Sequence, residues 1–209
     1  MSTKEKLMMT SNQKKQILRV VEDKLIKLNP SRTGAQTVLK KGKELQVKFG
    51  EIFSELLHPI LKLISEGESI ILDSEDGTKT LAKAKDLFSW IDSDFNNYGT
   101  DQKGAPTKET ALQVYEMNED ATFSKMFGSL DSDLTKFCLT QAQIKQFVKR
   151  HKNWLRGEGY GTFFLFESNN QFFVAYVDVH SDDALEVSVH RFENSNVWSA
   201  DDRHQVVVP

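Results

Sequence analysis

Apolar residues recur every three or four positions over the first third of the chain and every second position over the last third. In "QKKQILRVVEDKLIKL", Ile17, Val20, Val21, Lys24 and Leu28 fall at helical spacing, and Leu25 widens the stripe. "NPSRTG" at 29–34 interrupts the pattern with turn residues. A second helix is predicted from near Ala35 through "KELQVKFGEIFSELL". Pro59 should kink it or begin a new one, because proline lacks the N–H donor and clashes with the preceding turn. Ile52, Phe53, Leu56, Leu57, Ile60, Leu61 and Ile64 are apolar on too many sides for a lone surface helix. They call for the first helix, or a second copy of the chain, as cover. Residues 1–66 therefore read as a helical assembly region, and residues 67–209 as an α+β domain.

In the middle, "SIILDSEDGTKT" predicts a short strand and an Asp-Gly turn. "LAKAKDLFSWIDSDF" predicts a helix with Leu81, Ala84, Leu87, Phe88, Ile91 and Phe95 on one face. "NNYGTDQKGAPT" reads as a loop, "ALQVYEM" as a strand, and the segment after Asp120 as a short helix carrying Phe123, Met126 and Phe127.

The last third is the most sharply patterned. Thr140 and Gln143 form a Thr-x-x-Gln capping box, so a helix should begin there with Ile144, Phe147, Val148, His151 and Trp154 on its apolar face. "YGTFFLFE", "QFFVAYVDVH" and "ALEVSVHRFE" are rich in β-branched and aromatic residues and read as strands, with "HQVVVP" as a fourth. "SNNQ" suits a two-residue hairpin turn, because asparagine tolerates positive φ. That turn pairs Phe166 with Phe173 and Phe164 with Ala175, and a turn at 181–183 pairs Val179 with Leu185 and Val177 with Val187. One face is then Phe164, Phe166, Phe173, Ala175, Val177, Val179, Leu185, Val187 and Val189, beneath the 140–155 helix. The opposite face carries Phe163, Leu165, Phe172, Val174, Tyr176 and Phe192, too apolar to meet water uncovered. The expected architecture is α+β: long N-terminal helices, then a helix packed on a three- to four-stranded antiparallel meander.

Charge changes this picture at two places. Residues 1–66 carry 13 Lys and Arg against 7 Asp and Glu, and residues 137–156 carry 5 against none. Residues 67–136 carry 7 against 14, and residues 157–209 carry 2 against 9. Two basic islands thus sit in an acidic chain, able to meet a polyanion or to dock on the chain's own acidic parts. Lys145, Lys149, Arg150, Lys152 and Arg156 share one helix face and form the candidate nucleic-acid surface. The glycines of "RGEGYG" follow that helix instead of opening one, so Gly157 reads as a helix stop and not as a phosphate loop.

Candidate chemistry is sparse. Hairpin register brings Asp178, His180 and Glu186 together, a set able to hold a divalent metal or to move protons. Cys138 lies between Phe137 and Leu139 and reads as a buried, inert thiol that has no internal disulfide partner. Signatures of nucleophilic, zinc or nucleotide chemistry are missing, so no catalytic residue and no cofactor is assigned. No apolar run reaches the length of a signal peptide or a membrane span, so the expected setting is the cytoplasm, with no membrane partner. The leading expectation is a non-enzymatic interaction or regulatory protein. It would form homo-oligomers through its N-terminal helices and bind a protein partner on the face of Phe163, Leu165, Val174 and Tyr176. A nucleic-acid-binding accessory protein and a metal-dependent or acid/base enzyme are the alternatives.

Overall fold

The computed structural model describes residues 59–157 and 160–209, together with the single positions Gln16, Arg19, Val47 and Lys48. The chain divides into two compact units, Met1–Phe53 and Ser54–Pro209, and the second carries the fold described here. In chain order its elements are β1 (Leu61–Leu63), β2 (Ile70–Leu72), β3 (Trp90–Ile91), α1 (Asp94–Asn97), β4 (Thr110–Met117) and α2 (Phe123–Gly128). There follow α3 (Gln141–Arg150), β5 (Gly161–Ser168), β6 (Gln171–Val179), β7 (Leu185–Arg191) and β8 (Gln205–Val208). Among the described residues, eight strands form one sheet in the order β1-β4-β8-β5-β6-β7-β3, and β2 pairs with the N-terminal end of β4. The sheet is mixed: β8 runs parallel to β5 and β3 parallel to β7, while the remaining pairs are antiparallel.

This architecture corrects the expected one. In place of a helix on a three- to four-stranded antiparallel meander stands an eight-stranded mixed sheet, with α3 the one helix longer than six residues among those described. Apart from the single positions Arg19, Val47 and Lys48, the helices expected over 17–28 and from 35 to 57 lie outside the described residues. Their expected continuation past Pro59 is β1 instead, where Leu61 is buried, Lys62 exposed and Leu63 half-buried. A short apolar run of this kind satisfies helical and strand periodicity equally well. The helix expected over 81–95 is likewise replaced by a single 3-10 turn at Leu81–Lys83, the two-residue β3, and α1. Leu81, Ala84, Phe88 and Phe95 are nevertheless all buried in one core, so the apolar positions were right and the backbone joining them was not. Backbone pairing with β7 overrode the helical spacing: Ser89 N–H donates to Leu185 O at 2.8 Å and Asp92 N–H to Val187 O at 2.9 Å.

Two cores sandwich the sheet. On one face α3 buries Ile144, Phe147 and Val148 against Phe164, Phe166, Ala175, Val177, Val187 and Val189, with the Phe147 and Phe164 rings edge-on at 5.4 Å. The predicted capping box starts α3: Thr140 Oγ1 accepts from Gln143 N–H, and Gln143 Oε1 accepts from Thr140 N–H at 2.9 Å. Gln141, buried beside it, ties two remote segments to the helix. Its Oε1 accepts from Leu81 N–H at 2.9 Å, and its Nε2 donates to Thr100 O at 2.5 Å. On the opposite face, Phe163, Leu165, Val174, Phe192, Val206 and Val208 pack with Phe123, Met126 and Phe127 of α2, Leu61 and Met117, and Trp198. The outer face is thus covered from within the chain.

The register of β5, β6 and β7 is the predicted one, residue for residue at the pairs named above. The hairpin turn places Asn169 at φ 53° and Asn170 at φ 59°, the paired left-handed conformation of a tight two-residue turn. Alanine is penalised in that region by about 1 kcal/mol, whereas glycine is not. Asn170→Ala should therefore lower the urea midpoint and Asn170→Gly should hold or raise it, as equilibrium unfolding followed by circular dichroism will show.

Candidate functional site: an acidic and aromatic corner of the sheet

The basic face of α3 meets the acidic loops of its own chain. Lys145 Nζ lies 2.7 Å from Asp86 Oδ1, and its hydrogen bond holds the Asp86 carboxyl below the usual range. Arg150 pairs with Asp73, and Lys152 Nζ lies 3.3 Å from Asp183 Oδ1 and 3.1 Å from Asp183 O. Arg156 Nε donates to Asp202 O at 3.4 Å, and its guanidinium sits 5.4 Å above the Tyr160 ring. Lys149 alone of the five makes no such contact among the described residues; it lines a groove of about 410 Å³ with Asp73, Glu75, Lys79 and Asp86. Exposed pairs of this kind add little stability, yet they cancel the local field that would draw a polyanion. The sequence-predicted cations are brought together, and most of them already have anions beside them.

The expected partner face is differently placed. Phe163, Leu165 and Val174 are fully buried beneath α2 and its neighbours, so they present no surface to another protein. Tyr176, half-buried, stands at the margin of that cover. Its ring lies directly on Gly161, where any Cβ would overlap it, so the strand position opposite Asp178 must be glycine. Burial pushes the Tyr176 phenol up to about 12, helped by Asp178 and Asp202, and keeps it neutral.

Beyond Tyr176 the cover ends. Asp178 on β6 stands opposite Glu186 on β7, and Glu186 is in register with Trp90 on β3. Partners in register share a face, so two carboxylates and an indole project side by side at this corner. His180 Nε2 lies 3.3 Å from Glu186 Oε2 and 3.9 Å from Asp178 Oδ2. The other Asp178 oxygen, Oδ1, is buried and has no hydrogen-bond partner. Trp90 is 48 % exposed, one of few large apolar side chains among the described residues left in water. The predicted trio of Asp178, His180 and Glu186 is therefore adjacent, but among the described residues no three His, Cys, Asp or Glu side chains converge as a metal-ligand set.

Sequence reasoning found the trio from hairpin register and missed Trp90. A parallel pairing between β3 and β7 has no short-range signature, and the helical spacing around Trp90 pointed elsewhere. Cys138 is partly buried, and burial lifts its thiol to about 12; at neutral pH it stays protonated and unreactive. No helix among the described residues is long and apolar enough to cross a membrane. No protein-family model matches the chain, and neither a curated protein nor a solved structure matches it significantly.

Burial also sets a pH dependence. His190 and His204 both have side chains whose protonation is disfavoured by desolvation, so their pKa values in the fold lie below the ordinary 6.5. The unfolded chain then binds more protons than the fold as pH falls through 6.5, and the stability these neutral imidazoles support is lost below it. Urea midpoints should be constant from pH 8 to 7 and decline from about pH 6.5 downward, above the range where carboxylates titrate. The decline should be shallower in His190→Gln.

Proposed function

We propose that this protein is a non-enzymatic interaction protein whose sheet corner receives a basic side chain from a protein partner. The observation that carries the reading is the register Trp90–Glu186–Asp178, which sets an exposed indole beside two facing carboxylates. Carboxylates directly opposite each other on a strand pair repel, and a cation between them relieves that repulsion. His180 supplies it only when protonated. A lysine or arginine supplies it at every physiological pH and gains about 0.5–1 kcal/mol more against an exposed aromatic face. On this reading the partner surface lies next to the one expected from sequence, at the edge of the cover instead of beneath it.

Assembly belongs to the same reading and rests on Ile52, Phe53, Leu56 and Leu57. Leu61 of the same apolar run already packs within the chain's own sheet, against Met117. Nucleic-acid contact through α3 is the weaker alternative, because Lys145, Arg150 and Lys152 are already paired with carboxylates, which leaves Lys149 and Arg156 as the cations of that face without one among the described residues.

The test is a titration of the full chain with a lysine- and arginine-rich peptide, followed by NMR at the backbone amides of β3, β6 and β7. Saturable shifts are expected, with affinity about two- to fivefold lower in Trp90→Ala and at least tenfold lower in Asp178→Asn/Glu186→Gln. Equal binding by these variants would reject the corner as the site. A parallel fluorescence-anisotropy titration with single- and double-stranded oligonucleotides should show no binding at physiological salt; salt-sensitive binding abolished by Lys149→Glu would favour the alternative.

A further inference from the structure

His204 stands at the start of the central strand β8 and is 3 % exposed. Its carbonyl accepts from Met117 N–H at 2.8 Å, which ties it to β4. Its ring is enclosed by Phe163 at 5.0 Å, Trp198 at 5.2 Å, Tyr176 at 6.0 Å and Tyr160 at 6.1 Å, centroid to centroid. Nδ1 lies 3.2 Å from Gly161 N and 3.3 Å from Gly161 O, and Nε2 lies 3.5 Å from Asp202 Oδ2. One neutral tautomer serves both ends: Nδ1 accepts from the Gly161 N–H, and the Nε2 proton faces Asp202.

A second proton can enter only at Nδ1, where it meets the Gly161 N–H donor head-on. The nearest acceptor for it is the carbonyl of the same glycine. We propose that His204 is a proton-operated latch on β5: protonation at Nδ1 takes the acceptor from the Gly161 N–H, turns the ring to the Gly161 carbonyl, and rearranges the start of that strand. The surroundings set the balance. Burial among four aromatic rings opposes the charged ring most, the Gly161 carbonyl and then Asp202 favour it, and Arg156 opposes it. The phenol of Tyr176 is neutral, Arg203 is engaged by Glu116 at 3.0 Å, and the His190 ring packs edge-on against Trp198 at 5.7 Å. The movement has an outlet. Gly161 carries the Tyr176 ring, and Tyr176 leads along β6 to Asp178, while Arg156 N–H is bonded to Thr162 Oγ1 one residue into β5.

The proposal does not depend on what the corner binds. It is tested by NMR titration of the full chain from pH 7.5 to 5, following the His204 ring and the backbone amides. The expected result is a Gly161 amide shift with the same midpoint as the His204 ring, displaced below the ordinary imidazole value of 6.5, together with faster amide exchange at Gly161 than at Phe163. His190→Gln should leave that titration in place. A Gly161 amide that stays still while His204 titrates overturns the latch. So does a His204 ring that remains neutral until the whole fold unfolds.

Discussion

The structure depends on the placement of its last strand. β8 lies in the middle of the sheet, antiparallel to β4 on one side and parallel to β5 on the other. Without it, β1, β2 and β4 would have no backbone link to the hairpins of β5, β6 and β7. Its side chains alternate between the two cores: Val207 joins the one under α3, and Val206 and Val208 join the one under α2. Four residues thus close both hydrophobic layers at once. The candidate site lies toward the far edge of the same sheet, on β6, β7 and β3, two to four strands from this seam.

Burial on both faces explains the apolar excess of the sheet. An antiparallel sheet with one wet face alternates apolar and polar residues, whereas β5 reads as an almost continuous apolar run and is buried along nearly its whole length. The second layer is thin. α2 has six residues, and it covers the middle of the outer face while leaving the β6–β7–β3 corner open. The contrast between dry centre and open corner is what makes Asp178, Glu186 and Trp90 a surface, while Phe163 and Leu165, on the same face, are core.

Electrostatics follow the same internal economy. The acidic segment 67–136 and the basic island of α3 look like opposed surfaces in the linear chain, and they meet across the groove between Asp73, Asp86, Lys145 and Arg150. Amide side chains add polar ties to the connecting segments that the core anchors. Gln146 Oε1 accepts from Asp73 N–H at 2.7 Å, and Gln141 does the same for Leu81. These contacts order the long connections between β2 and β4 without requiring them to be helical.

What the sequence by itself determined is local. The Thr140–Gln143 capping box, the Asn169–Asn170 turn, the register of β5 to β7, and the apolar faces of both layers are written in residues a few positions apart. Each follows from side-chain periodicity or from the backbone freedom of one residue type. The tertiary structure decided the rest: that Leu61–Leu63 and Trp90–Ile91 are strands, that β8 enters the centre in parallel with β5, and that α2 covers Phe163 and Leu165. The reason is that strand pairing joins backbone groups that carry no residue code, between segments as far apart as Trp90 and Glu186. A short apolar run satisfies either period until a neighbouring edge supplies the hydrogen bonds that choose between them.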